Sequence, residues 1–180
     1  MRLLSSLALA AVMASGTTVF AVGDDDETPP QPTKTTIECE GDQIFDAETE
    51  TCVDADKQSF NDDDRYDAVR ELAYAGAYDR ARMVIAAADN ARDARFLNYK
   101  GFVARMEGKM DIAVMYYAAA LRADPDYILA RSYMGQGLVQ MGDKSAAKAQ
   151  LSEIAARGGA GTWAHTALAN AIIGRAVPTY

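Results

Sequence analysis

Apolar residues recur with the period of an α-helix over most of the chain after residue 60. Small residues recur there at intervals near 34: Gly76, Gly108 and Gly142 are 32 and 34 residues apart. Each is followed within five residues by an alanine on an apolar helical face, namely Ala81, Ala113 and Ala147. Such a period, with small residues at turns and in mid-helix, is typical of helical repeats. We therefore predict an all-α repeat array of about three helix pairs over residues 60–160.

A further amphipathic segment follows the last predicted pair. Residues 161–174 contain Trp163, Leu168, Ile172 and Ile173, and Gly174 is placed to end a helix. Because the last pair of an array leaves an apolar face uncovered, we expect this segment to be a capping helix. Residues 175–180 are predicted to be a tail.

The N-terminal segment has a different pattern. Arg2 precedes a run without charge from Leu3 to Val22, and Val19 and Ala21 suit a cut after Ala21. This pattern predicts a signal peptide over residues 1–21 and an exported chain, most simply in the bacterial periplasm. The alternative is an uncleaved membrane anchor, since twenty uncharged residues are long enough to span a bilayer.

Charge divides the remaining chain into two parts. Residues 22–67 contain 16 acidic and 3 basic residues, whereas residues 68–180 contain 10 acidic and 14 basic residues. The run Asp24–Glu27 and three nearby prolines predict a disordered linker over residues 22–36. The net charge of -8 argues against nucleic acid as the main partner.

Residues 37–55 contain both cysteines of the chain. The segments 43–45 and 51–53 read as two short strands around a turn that begins at Asp46. Because an isolated hairpin is marginally stable and an exported protein meets oxidising conditions, we expect a disulfide between Cys39 and Cys52. The spacing of Cys39, Gly41, Phe45, Asp46, Thr49 and Cys52 resembles the hairpins of peritrophin-like carbohydrate-binding modules. That resemblance implies an alternative function, binding of cell-wall or other polysaccharide with Phe45 as the stacking residue.

The helical part resembles the tetratricopeptide repeat family. Its best-matching unit has small, aromatic and helix-ending residues at the family's positions: Gly101, Ala104, Gly108, Ala113, Tyr117, Ala120 and Pro125. Lys100 departs from the pattern, since an apolar residue is usual there. The family implies a concave groove lined by the first helix of each pair, which receives a peptide or a partner helix. Carried over by position, the groove residues are Tyr66, Arg70, Tyr74, Arg95, Asn98, Phe102, Arg105, Ser132, Gln136 and Gln140.

These patterns favour a non-enzymatic module that binds a peptide or protein partner in the cell envelope. His165 is the one imidazole, and no nucleophile or carboxylate can be assigned to it as a catalytic partner. One His and two Cys are too few for a structural zinc site, and no cofactor motif is present. Two alternatives remain open at this point. Tyr66, Tyr74 and Phe102 could instead form core between helix pairs, and the acidic arm of residues 22–67 could fold over Arg70 and Arg105.

Overall fold

The computed structural model describes residues 28–176. The predicted signal peptide, the run Asp24–Glu27 and the end of the predicted tail lie outside the described residues. The described chain begins with a short helix, α1 (Lys34–Ile37), and a two-stranded hairpin, β1 (Gln43–Asp46) and β2 (Thr51–Asp54). Seven helices follow: α2 (Asp62–Tyr74), α3 (Tyr78–Ala86), α4 (Ala94–Met106), α5 (Met110–Ala123), α6 (Ile128–Gln140), α7 (Lys144–Ile154) and α8 (Trp163–Ile172). The expected fold class is thus confirmed at the level of a mostly helical chain with a small hairpin.

Three helix pairs share one turn geometry. Gly76, Gly108 and Gly142 follow α2, α4 and α6 with φ of 76°, 77° and 86°. After each glycine, the next backbone nitrogen donates to a carbonyl five residues earlier; for Ala77 and Leu72 the distance is 2.9 Å. Glycine is favoured here because a side chain disfavours positive φ. The glycines therefore reverse the chain so that α3, α5 and α7 pack against the helices before them.

The core runs continuously through these helices. It is built from buried apolar residues on facing helices: Val69, Leu72, Ile85, Phe96, Tyr99, Val103, Tyr117, Leu129, Tyr133 and Ile154. At two points a glycine permits close packing, because a Cβ on Gly101 would lie 2.6 Å from the Tyr117 ring and a Cβ on Gly135 would lie 2.6 Å from Leu168. The last helix pair is followed by a kinked turn, Ala155–Gly159, in which Gly158 has a φ of 82°, and α8 then packs on α6 and α7.

The hairpin has the predicted strands and the predicted disulfide. β1 and β2 are antiparallel, and Phe45 lies opposite Cys52 in the register. Cys39 and Cys52 are bonded, with their Cα atoms 5.5 Å apart. Since disulfides persist in oxidising compartments, the bond indicates an oxidising, exported environment. Within residues 28–176, no helix has the length and apolar character needed to cross a membrane.

The segment that we expected to be a disordered linker has ordered contacts over its described part. Pro29 is buried, and Thr33 caps α1. Glu71 of α2 is also buried and accepts hydrogen bonds from the backbone and side chain of Thr33 and of Thr36. The low apolar content of residues 28–36 predicted disorder, but a buried carboxylate on a distant helix gives their polar groups fixed partners.

The hairpin is also attached to the helices by an arginine of α3. The Arg80 guanidinium donates to the carbonyl oxygens of Gly41, Thr35 and Gln43, at 2.8, 3.0 and 3.2 Å. The backbone nitrogen of Phe45 in turn donates to the Thr35 hydroxyl at 3.1 Å. Residues 33–54 are consequently held on α2 and α3 by side-chain hydrogen bonds, while the disulfide cross-links the segment internally.

Candidate partner-binding groove

A groove of about 350 Å³ lies where α2, α4, α6 and α8 meet. We call this cavity the groove. Five of the residues expected from the sequence line it, and they come from three helices: Tyr74, Phe102, Arg105, Gln136 and Gln140. The helices therefore bring together positions that are up to 66 residues apart in the chain.

Aromatic rings form a row along the groove. The ring centroids of Tyr74 and Phe102 are 5.0 Å apart, and those of Phe102 and Tyr133 are 5.2 Å apart. Trp163 of α8 meets Tyr133 edge to face at 6.3 Å. The hydroxyls of Tyr74 and Tyr133 are 2.5 Å apart, and burial raises the pKa of Tyr133 well above its ordinary value. Phe102 and Tyr133 are 4% and 1% exposed and belong to the core, so they form the apolar floor of the groove, and the partly buried Tyr74 and Trp163 are the rings that a ligand can contact.

Arg105 is the one charged side chain among the described residues that line the groove. Its guanidinium carbon lies 5.4 Å from the centroid of Phe102 and 5.7 Å from that of Tyr133, and its Nε donates to the Tyr117 hydroxyl at 3.3 Å. The residue is only 8% exposed. None of the ion pairs formed within residues 28–176 involves Arg105. The groove therefore holds a positive charge that the aromatic rings and a hydroxyl stabilise.

Arg70 and Arg95 lie outside the groove lining and have carboxylate neighbours. Arg70 Nη1 is 3.6 Å from an Asp67 oxygen, and its Nη2 donates to the Thr28 carbonyl at 2.8 Å. Arg95 contacts Asp93 at 3.1 Å and Asp63 at 2.8 Å. The hydrogen bonds that Arg95 donates to Asp93 and Asp63 raise the pKa of Arg95 above its ordinary value, against the opposing effect of burial. Arg95 is thus engaged within the chain, and Arg70 marks the place where the N-terminal segment reaches α2.

The remaining expected residues, Tyr66, Asn98 and Ser132, are buried and do not line the groove. Tyr66 packs edge to face against Phe96 and Tyr99. Ser132 donates to the Ala164 carbonyl at 2.7 Å and joins α6 to α8. Asn98 is 0% exposed, and within the described residues neither of its amide atoms has a hydrogen-bond partner.

Six groove-lining residues were not expected from the sequence: Ala73, Met106, Tyr133, Val139, Trp163 and Ala171. Tyr133 lies three residues before Gln136 on α6, so helical spacing from that residue could have indicated it. Trp163 was expected only as part of the capping helix. Its place in the groove depends on how α8 packs against α6, for which the local sequence has no signal.

Two further cavities lie elsewhere on the described chain. One, of about 380 Å³, lies among α3, α4 and α5 and is lined by Ile85, Val103 and Lys100. The Lys100 ammonium donates to the Ala91 carbonyl at 3.1 Å, and burial lowers its pKa. The other, of about 480 Å³, lies between the hairpin and α2 and includes Phe45 and several carboxylates. The Lys34 ammonium lies 4.5 Å from the Phe45 ring centroid and covers one face of that ring.

The comparisons with known proteins add no relative. No family model matches the chain, and neither the curated proteins nor the solved structures contain a significant match.

Proposed function

We propose that this chain is a non-enzymatic, exported module of tetratricopeptide-like helix pairs, and that its groove binds a peptide or protein partner of the cell envelope. The observation that carries the proposal is the lining of the groove. An aromatic row and a lone arginine are the residue types that anchor protein interfaces, and they occupy one open cavity. The repeated glycine turns support the assignment to helix pairs, and the disulfide supports an exported location.

The alternative is binding of a cell-wall polysaccharide by the hairpin. Stacking on a sugar requires an exposed aromatic face, and Lys34 covers one face of the Phe45 ring. The groove offers two partly buried rings, Tyr74 and Trp163, over a floor of two further rings. We therefore favour a protein or peptide partner in the groove.

The test is site-specific photo-crosslinking in exporting cells, with the reactive group at Gln140. Gln140 lines the groove and is exposed, so a bound partner would lie within reach. The control carries the group at Met115, which is 56% exposed on α5 and lines none of the three cavities. We expect one discrete protein to be captured from position 140 and not from position 115.

A matched pair of substitutions identifies the surface responsible. Met106 is 49% exposed and lines the groove, so Met106→Asp places a carboxylate there without disturbing the buried core. We expect Met106→Asp to reduce capture by roughly tenfold, equivalent to about 1.4 kcal/mol, and Met115→Asp to leave it unchanged. Equal capture from both positions, or retention of polysaccharide alone that is lost with Phe45→Ala, would refute the proposal in favour of the alternative.

A further inference from the structure

We propose that the groove accepts an acidic extended segment, and that the chain itself supplies one: Asp24–Glu27 binds in the groove and competes with the external partner. The competition rests on the proposed function, because it requires an external partner. The contact within the chain can be tested without any partner.

The path of the chain brings this segment to the groove. The Thr28 carbonyl accepts from Arg70 at 2.8 Å, and Arg70 lies one helical turn before the groove residue Tyr74 on α2. The adjacent residue, Glu71, holds Thr33 and Thr36. With these attachments at both ends, residues 28–36 run against α2, and Thr28, the first described residue, is hydrogen-bonded to α2 one helical turn from the groove residue Tyr74.

The segment is long enough to reach the groove's cation. Residues 23–27 can span at most roughly 17 Å when extended. Arg105 belongs to α4, which packs beside α2, and the axes of packed helices lie about 8–10 Å apart. An extended segment that starts near Arg70 can therefore bring a carboxylate to the Arg105 guanidinium.

Charge favours the same contact. Residues 24–27 are four consecutive acids, and residues 22–33 contain no Lys or Arg. Arg105 is nine-tenths buried and forms no ion pair within residues 28–176. Because the effective dielectric constant is lower at a partly buried site, a carboxylate that reaches Arg105 is attracted more strongly than it would be at an open surface. The groove lining contains no described carboxylate to oppose it.

Attachment to the same chain makes even a weak contact effective. A tethered segment acts at an effective concentration of about a millimolar when its linker matches the distance to be spanned. An external peptide therefore displaces the acidic segment only if its contacts, such as those to the aromatic row, contribute more binding free energy than the contacts of the segment. The competition thus selects for partners that contact the aromatic rings of the groove as well as Arg105.

The test uses Trp163 as a probe, since it is the one Trp of the chain and lines the groove. A dansyl group is attached to the full chain through Gly23→Cys, with the Cys39–Cys52 bond kept oxidised. Energy transfer from Trp163 to the dansyl group reports how close the segment lies to the groove. We expect transfer to fall about twofold between about 0.01 M and 1 M salt, as the screening length drops from about 30 to 3 Å.

Two neutralised variants separate a local contact from a general effect of charge. The first variant replaces the four acids of the segment with their amides: Asp24→Asn/Asp25→Asn/Asp26→Asn/Glu27→Gln. It should show low energy transfer at every salt concentration. The second variant removes the same charge from exposed positions of the hairpin region: Glu40→Gln/Glu48→Gln/Glu50→Gln/Asp56→Asn. It should behave like the unsubstituted chain. Removal of the groove cation by Arg105→Gln should also abolish the salt dependence, whereas Arg105→Lys should retain most of it.

Transfer that does not depend on salt in the unsubstituted chain, or that falls equally in both neutralised variants, would overturn the inference. The proposed function fails separately. If the fluorescence changes as expected but no protein is captured from Gln140, even in the variant neutralised at residues 24–27, the contact within the chain stands and the partner does not.

Discussion

The Glu71 carboxylate lies 2.7 Å from the backbone nitrogen of Thr33, 38 residues earlier in the chain. Its other oxygen accepts from the Thr33 hydroxyl, also at 2.7 Å, and Thr36 adds two further donors. This one buried carboxylate on α2 therefore holds the first turn of α1, from its N-cap Thr33 to Thr36. It explains how a segment with little apolar surface is ordered on the helical part of the chain.

Substitution of Glu71 by Gln should release this segment. A Gln amide is neutral, so the hydrogen bonds that it accepts lose their charge assistance, and its NH2 group would have to donate to the Thr33 hydroxyl, which already accepts from the Thr35 N–H. We expect a loss of about 1–3 kcal/mol in the free energy of unfolding, measured in urea, and faster tryptic cleavage after Lys34. Glu48→Gln, at an exposed position of the hairpin turn, is the control. Unchanged cleavage in Glu71→Gln would show that other contacts order α1.

Two glycines in helix interiors should respond to alanine in opposite directions. A Cβ on Gly101 would lie 2.6 Å from the fully buried Tyr117 ring, whereas the nearest atom to a Cβ on Gly137 is 3.5 Å away. We expect Gly101→Ala to destabilise the protein by about 1–3 kcal/mol through overpacking. Gly137→Ala should stabilise it by about 0.5–1 kcal/mol, because alanine loses less backbone entropy on folding. Thermal or urea unfolding of the two variants measures both changes in the free energy of unfolding. Equal changes would argue against close packing of α4 and α5.

Removal of the disulfide should affect the hairpin more than the helices. The two cysteines are 13 residues apart in the sequence. Closing a loop of this length stabilises the folded state by about 3 kcal/mol on the chain-entropy estimate. Because Arg80 still holds three carbonyls, Cys39→Ala/Cys52→Ala should leave the hairpin folded but faster in hydrogen exchange over β1 and β2. Exchange in α4–α6 should remain unchanged. Arg80→Ala, which retains the disulfide, is the matched comparison, and collapse of protection in α4–α6 would contradict the prediction.

The stability of the protein should fall in acid partly because of Asp62. Burial alone raises the pKa of this carboxyl, but the backbone N–H groups of Asn90 and Asp89 and the Arg65 guanidinium together bring it below its ordinary value of 3.8. A carboxyl with a lowered folded-state pKa stabilises the fold above its unfolded-state pKa, and this contribution is lost as the pH falls through the folded-state value.

The corresponding measurement is the free energy of unfolding as a function of pH in Asp62→Asn. We expect this variant to be less stable than the unsubstituted chain at neutral pH and to lose less stability as the pH falls below about 4. Asp56→Asn, at an exposed loop position, should follow the unsubstituted chain. Parallel pH profiles for Asp62→Asn and the unsubstituted chain would show that Asp62 has no such role.

The sequence was sufficient for features that depend on local pattern. The helical period, the turn glycines and the strand segments each report on a few neighbouring residues, and the structure has helices, turns and strands at those places. The disulfide between Cys39 and Cys52 could also be predicted, because the chain has two cysteines and a hairpin between them.

The tertiary structure decided which residues lie in the groove. Spacing within each helix indicates a face, but neighbouring helices determine whether that face is open or covered. Tyr66, Asn98 and Ser132 lie beneath the surface, whereas Trp163 reaches the groove because α8 packs against α6. The order in residues 28–37 likewise depends on Glu71 and Arg80, whose hydrogen bonds join positions 35 to 45 residues apart. Local pattern determines the elements of this protein, while burial and polar pairing across distant segments determine the surface it can offer to a partner.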